Sequence, residues 1–209
     1  MTQQPSGCRF RHIFIVTYGR SGSTLLMGYL NSFPGICVRG ENNGALLGIY
    51  RSIRSVQKAR YGGAIAKRPT HPWFGFHEVD AARYERRLIE VFVQEMLRPL
   101  SDTETIGFKE IRHGDIFIDD LDDYIDFLLN AFDRAGVIMH TRDIKKTLAS
   151  GWIKESEVIK KRVSDLHDAM SASRFHGDPR CHITHHDSLW SDQGHAMALA
   201  RFLGREFDR

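Results

Sequence analysis

Three cysteines in 209 residues, Cys8, Cys37 and Cys181, are too few and too scattered for a disulfide framework or a zinc spacing. They are expected to be reduced thiols in a cytoplasmic protein. The chain has no internal repeat and no low-complexity tract. It also lacks an excess of one charge: 29 Lys+Arg against 26 Asp+Glu leave +3, too mild to imply nucleic acid, although it would suit a small anionic ligand. The apolar run near the N-terminus, Ile13–Val16, is far short of a signal-peptide core or a membrane span, so neither is expected. What is present, 42% hydrophobic and 26% charged residues, excludes a disordered or fibrous chain and is enough for a sizeable core.

The run His12–Thr17 has no polar alternation and stops at Tyr18-Gly19, as a buried parallel strand does. After Gly19-Arg-Ser-Gly-Ser-Thr24, residues Leu25, Leu26, Tyr29, Leu30 and Phe33 recur at helical spacing up to Pro34-Gly35. Strand, glycine loop and helix open an α/β fold. Further strands are expected at 36–38, 105–109, 136–141 and 181–185. They alternate with helices at 45–60, 81–97, 121–132, 156–175 and 192–203, and Asp143 can cap a helical stretch running to Ser150. The alternation predicts a three-layer α/β/α fold with a central parallel sheet, as a single domain over 1–209. Residues 1–11 read as a disordered tail, and 62–79, with Trp73, Phe74 and Phe76, as a mobile loop.

The loop Tyr18-Gly19-Arg20-Ser21-Gly22-Ser23-Thr24 joins a strand to a helix N-terminus. Its glycines let backbone N–H groups converge on an anion, and the helix dipole adds partial positive charge. Ser23 and Thr24 can donate hydroxyls and Arg20 supplies a fixed charge. The spacing makes a phosphate or sulfate cradle. It is not the loop of nucleoside triphosphatases, because Ser23 stands where the lysine should follow the second glycine.

Here the sequence resembles the sulfotransferases that use 3′-phosphoadenosine 5′-phosphosulfate (PAPS), whose phosphosulfate loop Gly19–Leu26 fits. Their second signature, an Arg followed eight residues later by Ser to hold the 3′-phosphate, is matched by Arg142 and Ser150. Val38-Arg39-Gly40-Glu41 resembles the segment of tyrosylprotein and related bacterial sulfotransferases whose Glu is the general base. Gly107-Phe108-Lys109-Glu110 is similar to a family strand that brings a Lys to the sulfuryl group. The resemblance spans about residues 12–204. The glycine-and-lysine-rich segment that cytosolic members carry near the C-terminus has no counterpart before Arg209; either another loop does that work or the chain is a short variant.

The resemblance implies a P-loop-like fold and in-line transfer of a sulfuryl group from PAPS to a small-molecule or glycan acceptor, with sugar, phenol, lipid and peptide hydroxyls all open. Gly19, Arg20, Ser21, Gly22, Ser23, Thr24, Arg142 and Ser150 would hold the nucleotide. Glu41, Arg20 and Lys109 would be catalytic, with His71, His77 or His113 next in line as base. No metal, nucleic acid or membrane span is expected. The alternatives are a kinase-like phosphotransferase and a catalytically silent nucleotide-binding module. The stretch His182, His185, His186, Asp187 specifies no compact metal site, because strand alternation sends adjacent side chains to opposite faces. Asp115, Asp119, Asp120, Asp122, Asp123 and Asp126 are expected to face solvent.

Overall fold

A computed structural model describes residues 7–63, 66–115 and 121–206. Five strands, β1 (His12–Val16), β2 (Ile36–Arg39), β3 (Thr105–Glu110), β4 (Ala135–Thr141) and β5 (Cys181–His185), form one sheet in the order β2-β3-β1-β4-β5. Every pairing is parallel. β1 lies at the centre, with Ile15 opposite Lys109 on one side and Ile138 on the other. All five of its residues are buried, as the unbroken apolar run requires of a strand covered on both faces.

Helices α1 (Ser23–Leu30) and α8 (Gln193–Phe202) cover one face, where Leu26, Leu30, Leu199 and Phe202 cluster with Ile13, Ile15 and Ile138. On the other face Phe14 meets Phe108 and Phe132 at ring distances of 5.2 and 4.8 Å. There α4 (Leu121–Ala131) turns in Tyr124, Ile125 and Leu128. The result is the expected three-layer α/β/α arrangement, rich in helix.

Other helices are α2 (Ala45–Gly63), α3 (Ala81–Val91), α5 (Ile144–Leu148), α6 (Glu157–Ala172) and α7 (His186–Ser191). Side-chain caps start several of them. Asp80 accepts from the Arg83 N–H, Asp143 from Lys146, Ser156 from Ile159 and Asp192 from Gly194. α3 runs on into a π-helical turn, Phe92–Leu97, and stops where Arg98 takes a positive φ of 49°.

Several local expectations change. α6 ends at Ala172, not Phe175, because Ser173 turns extended and its hydroxyl donates to Asp122 on α4. Asp122 also accepts from the Arg174 N–H, so it is a tether between helices and not a solvated charge. Asp115, Asp119 and Asp120 lie outside the residues whose side chains are described. Residues 1–6 of the expected tail lie outside the described residues too, whereas Cys8 and Phe10 are already in the core, Phe10 against Phe202 at 4.7 Å. Of the segment 62–79, Ala64 and Ile65 lie outside the described residues; the rest includes a 3₁₀ turn at Phe76–Glu78.

The chain forms two compact units, one of residues up to Asn43 with those from Pro99 onward, the other Gly44–Arg98. The first holds the sheet; the second holds α2 and α3, where Ser52 and Tyr84 share a hydroxyl–hydroxyl bond of 2.7 Å. Among the described residues no helix is long and apolar enough to cross a membrane.

Candidate active site

The ends of β1, β3 and β4 lie side by side, so the segments leaving them, around Tyr18, Ile111 and Arg142, meet at the carboxyl edge of the sheet, where α/β folds bind ligands. The loop after β1 has the shape its glycines predict. Arg20 and Gly22 both take positive φ, 65° and 86°, and Gly22 opens α1 with no side-chain cap. The first N–H groups of an eight-residue helix are therefore left to the loop's concave side. Only glycine fits at position 22, since a Cβ would sit 2.2 Å from His186 Nδ1.

Beneath the loop is a polar pedestal that sequence reading did not find. Ser21 is fully buried, with its hydroxyl 2.8 Å from Thr17 Oγ1, which in turn lies 2.7 Å from the His140 carbonyl. The Ser21 hydroxyl is thus used inside the protein, leaving this residue's backbone to face an anion; Ser23 is also buried and Thr24 is exposed. His140 Nε2 lies 3.1 Å from the Ser21 carbonyl, which can only accept. That fixes the proton on Nε2 and makes Nδ1 the acceptor of the Thr184 hydroxyl, 2.7 Å away.

Burial first, and then neighbouring His186, pull the pKa of His140 from 6.5 to about 4. Between those values the unfolded chain takes up a proton that the folded protein refuses, so stability falls as pH drops from 6.5 towards 4 and levels off below. The loss should be on the order of 3 kcal/mol. Denaturant midpoints at pH 7.5 and pH 4.5 for the protein and for His140→Gln check this. An unchanged difference between the two pH values in the variant would show that His140 is not its source.

The two anion motifs are joined. Arg20 Nε donates to Ser150 Oγ at 3.2 Å, and Arg142 Nη1 donates to the Arg20 carbonyl at 3.2 Å. Arg142 Nε is buried with no hydrogen-bond partner. Its backbone is pinned by Tyr18, whose hydroxyl lies 2.9 Å from the Arg142 N–H, 3.0 Å from its carbonyl and 2.9 Å from His167 Nδ1 on α6. Burial pushes the Tyr18 phenol up to about 12, so it stays protonated as a spacer. A cluster with two guanidiniums, an orphaned buried donor and an uncapped helix start fits a ligand with two separate anionic groups.

Lys109 and Glu41 meet as an ion pair at 2.5 Å, Lys109 buried and Glu41 37% exposed. Glu110 holds this corner together. One of its oxygens accepts from the Ile111 and Arg112 N–H groups and the other from the Asn42 N–H, next to Glu41. His113 is buried against Thr17, and burial lowers its pKa; it is a support for β1. His71 and His77 belong to the Gly44–Arg98 unit.

His182 on the last strand and His186 and Asp187 at the start of α7 have partners inside the protein. His182 stacks on Phe202 at 5.0 Å, His186 accepts from the Trp190 indole at 3.3 Å, and Asp187 pairs with Lys146 at 3.0 Å. Among the described residues no three His, Cys, Asp or Glu side chains are grouped so as to hold a metal ion.

Comparison with known proteins bears on the fold and the family. Among solved structures, the sulfotransferase domain from the Synechococcus PCC 7002 olefin synthase matches with a TM-score of 0.58 at 17% identity, covering 100% of this chain and 78% of that one. Sulfotransferase STF9 from Mycobacterium avium matches with a TM-score of 0.50 at 14% identity, covering 96% of this chain and 65% of that one. At such identities the likeness is one of fold. A search of curated proteins finds no match. The model of the sulfotransferase family matches residues 12–209, so the chain belongs to the sulfotransferase family.

Proposed function

We propose that this sulfotransferase takes its sulfuryl group from PAPS and passes it to the hydroxyl of a small acceptor. The observation that carries the reading is the meeting of Arg20, Arg142 and Ser150, with the buried Arg142 Nε still lacking a partner. Gly19, Arg20, Ser21, Gly22, Ser23 and Thr24 would surround the 5′-phosphosulfate, chiefly through backbone N–H groups and the Arg20 charge. Arg142 and Ser150 would hold the 3′-phosphate. When bound, PAPS supplies an activated sulfuryl group and leaves as adenosine 3′,5′-bisphosphate.

The chain's own residues do the rest. Transfer forms a bond from the acceptor oxygen to sulfur and breaks the bond from sulfur to the phosphate oxygen, so negative charge grows on the departing phosphate. Arg20 and Lys109 would face that charge, and cations already in place there stabilise it as it develops. Glu41 would take the acceptor's proton. Lys109 holds Glu41 in one rotamer, and Glu110 anchors the backbone at Asn42, so the carboxylate is positioned before the acceptor arrives.

Calorimetry with two nucleotides tests the donor. Arg142→Ala should lose about 1.5–3 kcal/mol of affinity for adenosine 3′,5′-bisphosphate, the worth of a charge-assisted contact, and almost none for 5′-AMP. An equal loss for both nucleotides would sink the assignment of the 3′-phosphate to Arg142.

A further inference from the structure

Ser21, in the middle of the phosphate loop, is gripped twice by one residue of β4. Its carbonyl accepts from the His140 ring at 3.1 Å, and its hydroxyl reaches the His140 carbonyl by way of Thr17. Every proton in this closed circuit has one place to be. The His140 carbonyl can only accept, so the Thr17 hydroxyl donates to it at 2.7 Å and must itself accept from the Ser21 hydroxyl at 2.8 Å. At the ring, Nε2 donates to Ser21 while Nδ1 accepts from the Thr184 hydroxyl at 2.7 Å. Thr17, Ser21 and His140 are 0% exposed and Thr184 4%, so water has no access to replace a missing partner.

The circuit settles the direction of one peptide. In a trans peptide the carbonyl and the following N–H point opposite ways, so the hydrogen bond from His140 to the Ser21 carbonyl turns the Gly22 N–H away from His140. Among the described residues that peptide makes no other hydrogen bond. The next carbonyl along, that of Gly22, is already committed to α1 through the Leu25 and Leu26 N–H groups. Turning the Ser21–Gly22 peptide over would change only ψ of Ser21 and φ of Gly22, and glycine accepts φ of either sign. The glycine that the nearby His186 ring demands at position 22 therefore leaves a peptide at the centre of the loop that local sterics do not hold.

We infer that His140 is a positioning residue for the sulfuryl donor, a role that rests on the PAPS reading: it locks the Ser21–Gly22 peptide in the orientation that aims the Gly22 N–H at the 5′-phosphosulfate. With the peptide turned over, a carbonyl oxygen would face the anion in place of an N–H, so attraction would become repulsion. The cost to binding is then more than one lost hydrogen bond. Burial keeps the ring neutral, and Thr184 keeps its single proton on Nε2, where the lock needs it.

Calorimetry at pH 7.5 with adenosine 3′,5′-bisphosphate, 5′-AMP and 3′-AMP, on the protein and on His140→Leu, His140→Asn and His140→Gln, separates aim from folding. Leucine fills the space without a donor, asparagine is too short to reach the Ser21 carbonyl, and glutamine puts an amide N–H where Nε2 stood. The first two variants should bind both ligands that carry a 5′-phosphate roughly tenfold or more weakly, with 3′-AMP unaffected, and His140→Gln should recover most of the loss. Equal 5′-AMP affinity in all four proteins would overturn the inference. So would a loss for 3′-AMP as large as that for 5′-AMP, because His140 would then merely support the fold. Heteronuclear NMR of the unsubstituted protein reads the same lock however the variants fold. The His140 ring should carry its proton on Nε2, and the Gly22 amide resonance should move when 5′-AMP is added; a proton on Nδ1 or an unmoved Gly22 amide would also overturn it. The PAPS reading fails separately, if the unsubstituted protein binds 5′-AMP as tightly as the bisphosphate, and the His140 series on 5′-AMP still decides the role of His140.

Discussion

Glu41→Gln should lower turnover by roughly 10²–10⁴ while nucleotide affinity stays near normal, because an acceptor hydroxyl is a poor nucleophile until a base takes its proton. Glutamine keeps the shape of the side chain and can still accept from Lys109, so the geometry of the corner survives and only basicity is lost. The buried Lys109 ammonium then lacks a counter-charge, and a small drop in thermal midpoint should accompany the kinetic loss. Single-turnover rates and calorimetry on the one variant read both quantities. Near-normal turnover would remove Glu41 as the base. Nor could His113 replace it, being buried against Thr17.

The second large effect is expected at Gly22. Its φ of 86° is costly for any residue with a Cβ, by roughly 1–2 kcal/mol, and an alanine methyl would in addition collide with His186. Relief of both strains means abandoning the loop conformation, so Gly22→Ala should lose at least roughly tenfold in adenosine 3′,5′-bisphosphate affinity and a similar factor in turnover. Gly28→Ala is the matched control. It lies in the same helix, α1, with open space where its Cβ would go, and alanine there should bind normally and stabilise slightly. Equal affinities in the two variants would show that the loop does not hold the nucleotide.

Much of this was legible in the sequence, for physical reasons. The run His12–Val16 reads as a buried strand because nothing polar interrupts it. A glycine loop after a strand is more often a plain turn; Gly19 and Gly22 read as a cradle because Arg142 and Ser150 follow at the family's spacing. Arg142 and Ser150 read as a pair by their spacing, and in the structure Arg20 stands between them, donating to Ser150 and accepting from Arg142. The residues that hold these groups in place were not found. Glu110, His140 and Tyr18 act on partners 68, 119 and 124 positions away, and such contacts depend on the parallel registers of β2 with β3 and of β1 with β4. No local pattern encodes that register.

The short helix α7 was missed because His186-Asp187-Ser188 is polar and six residues are too few to show a helical period. The inward turn of the Ser21 hydroxyl had no sequence signal either, since a serine in a phosphate loop reads the same whether it faces the anion or the core.

The central place of β1 also has a consequence for how the molecule forms. β1 comes first along the chain, yet its neighbours in the sheet are β3 and β4: His12 pairs with Ile106 and with Ala135, and the whole Gly44–Arg98 unit comes between in sequence. Closing such loops costs chain entropy before any contact repays it, which places this topology among the slower folders. The carbonyl of His140 that braces Thr17 beneath the Gly19–Thr24 loop comes from β4, so the underside of the loop is complete only once β4 has docked beside β1. The final shape of the loop proposed to hold the anion is therefore a late event in folding, and it certifies that β4 is in place.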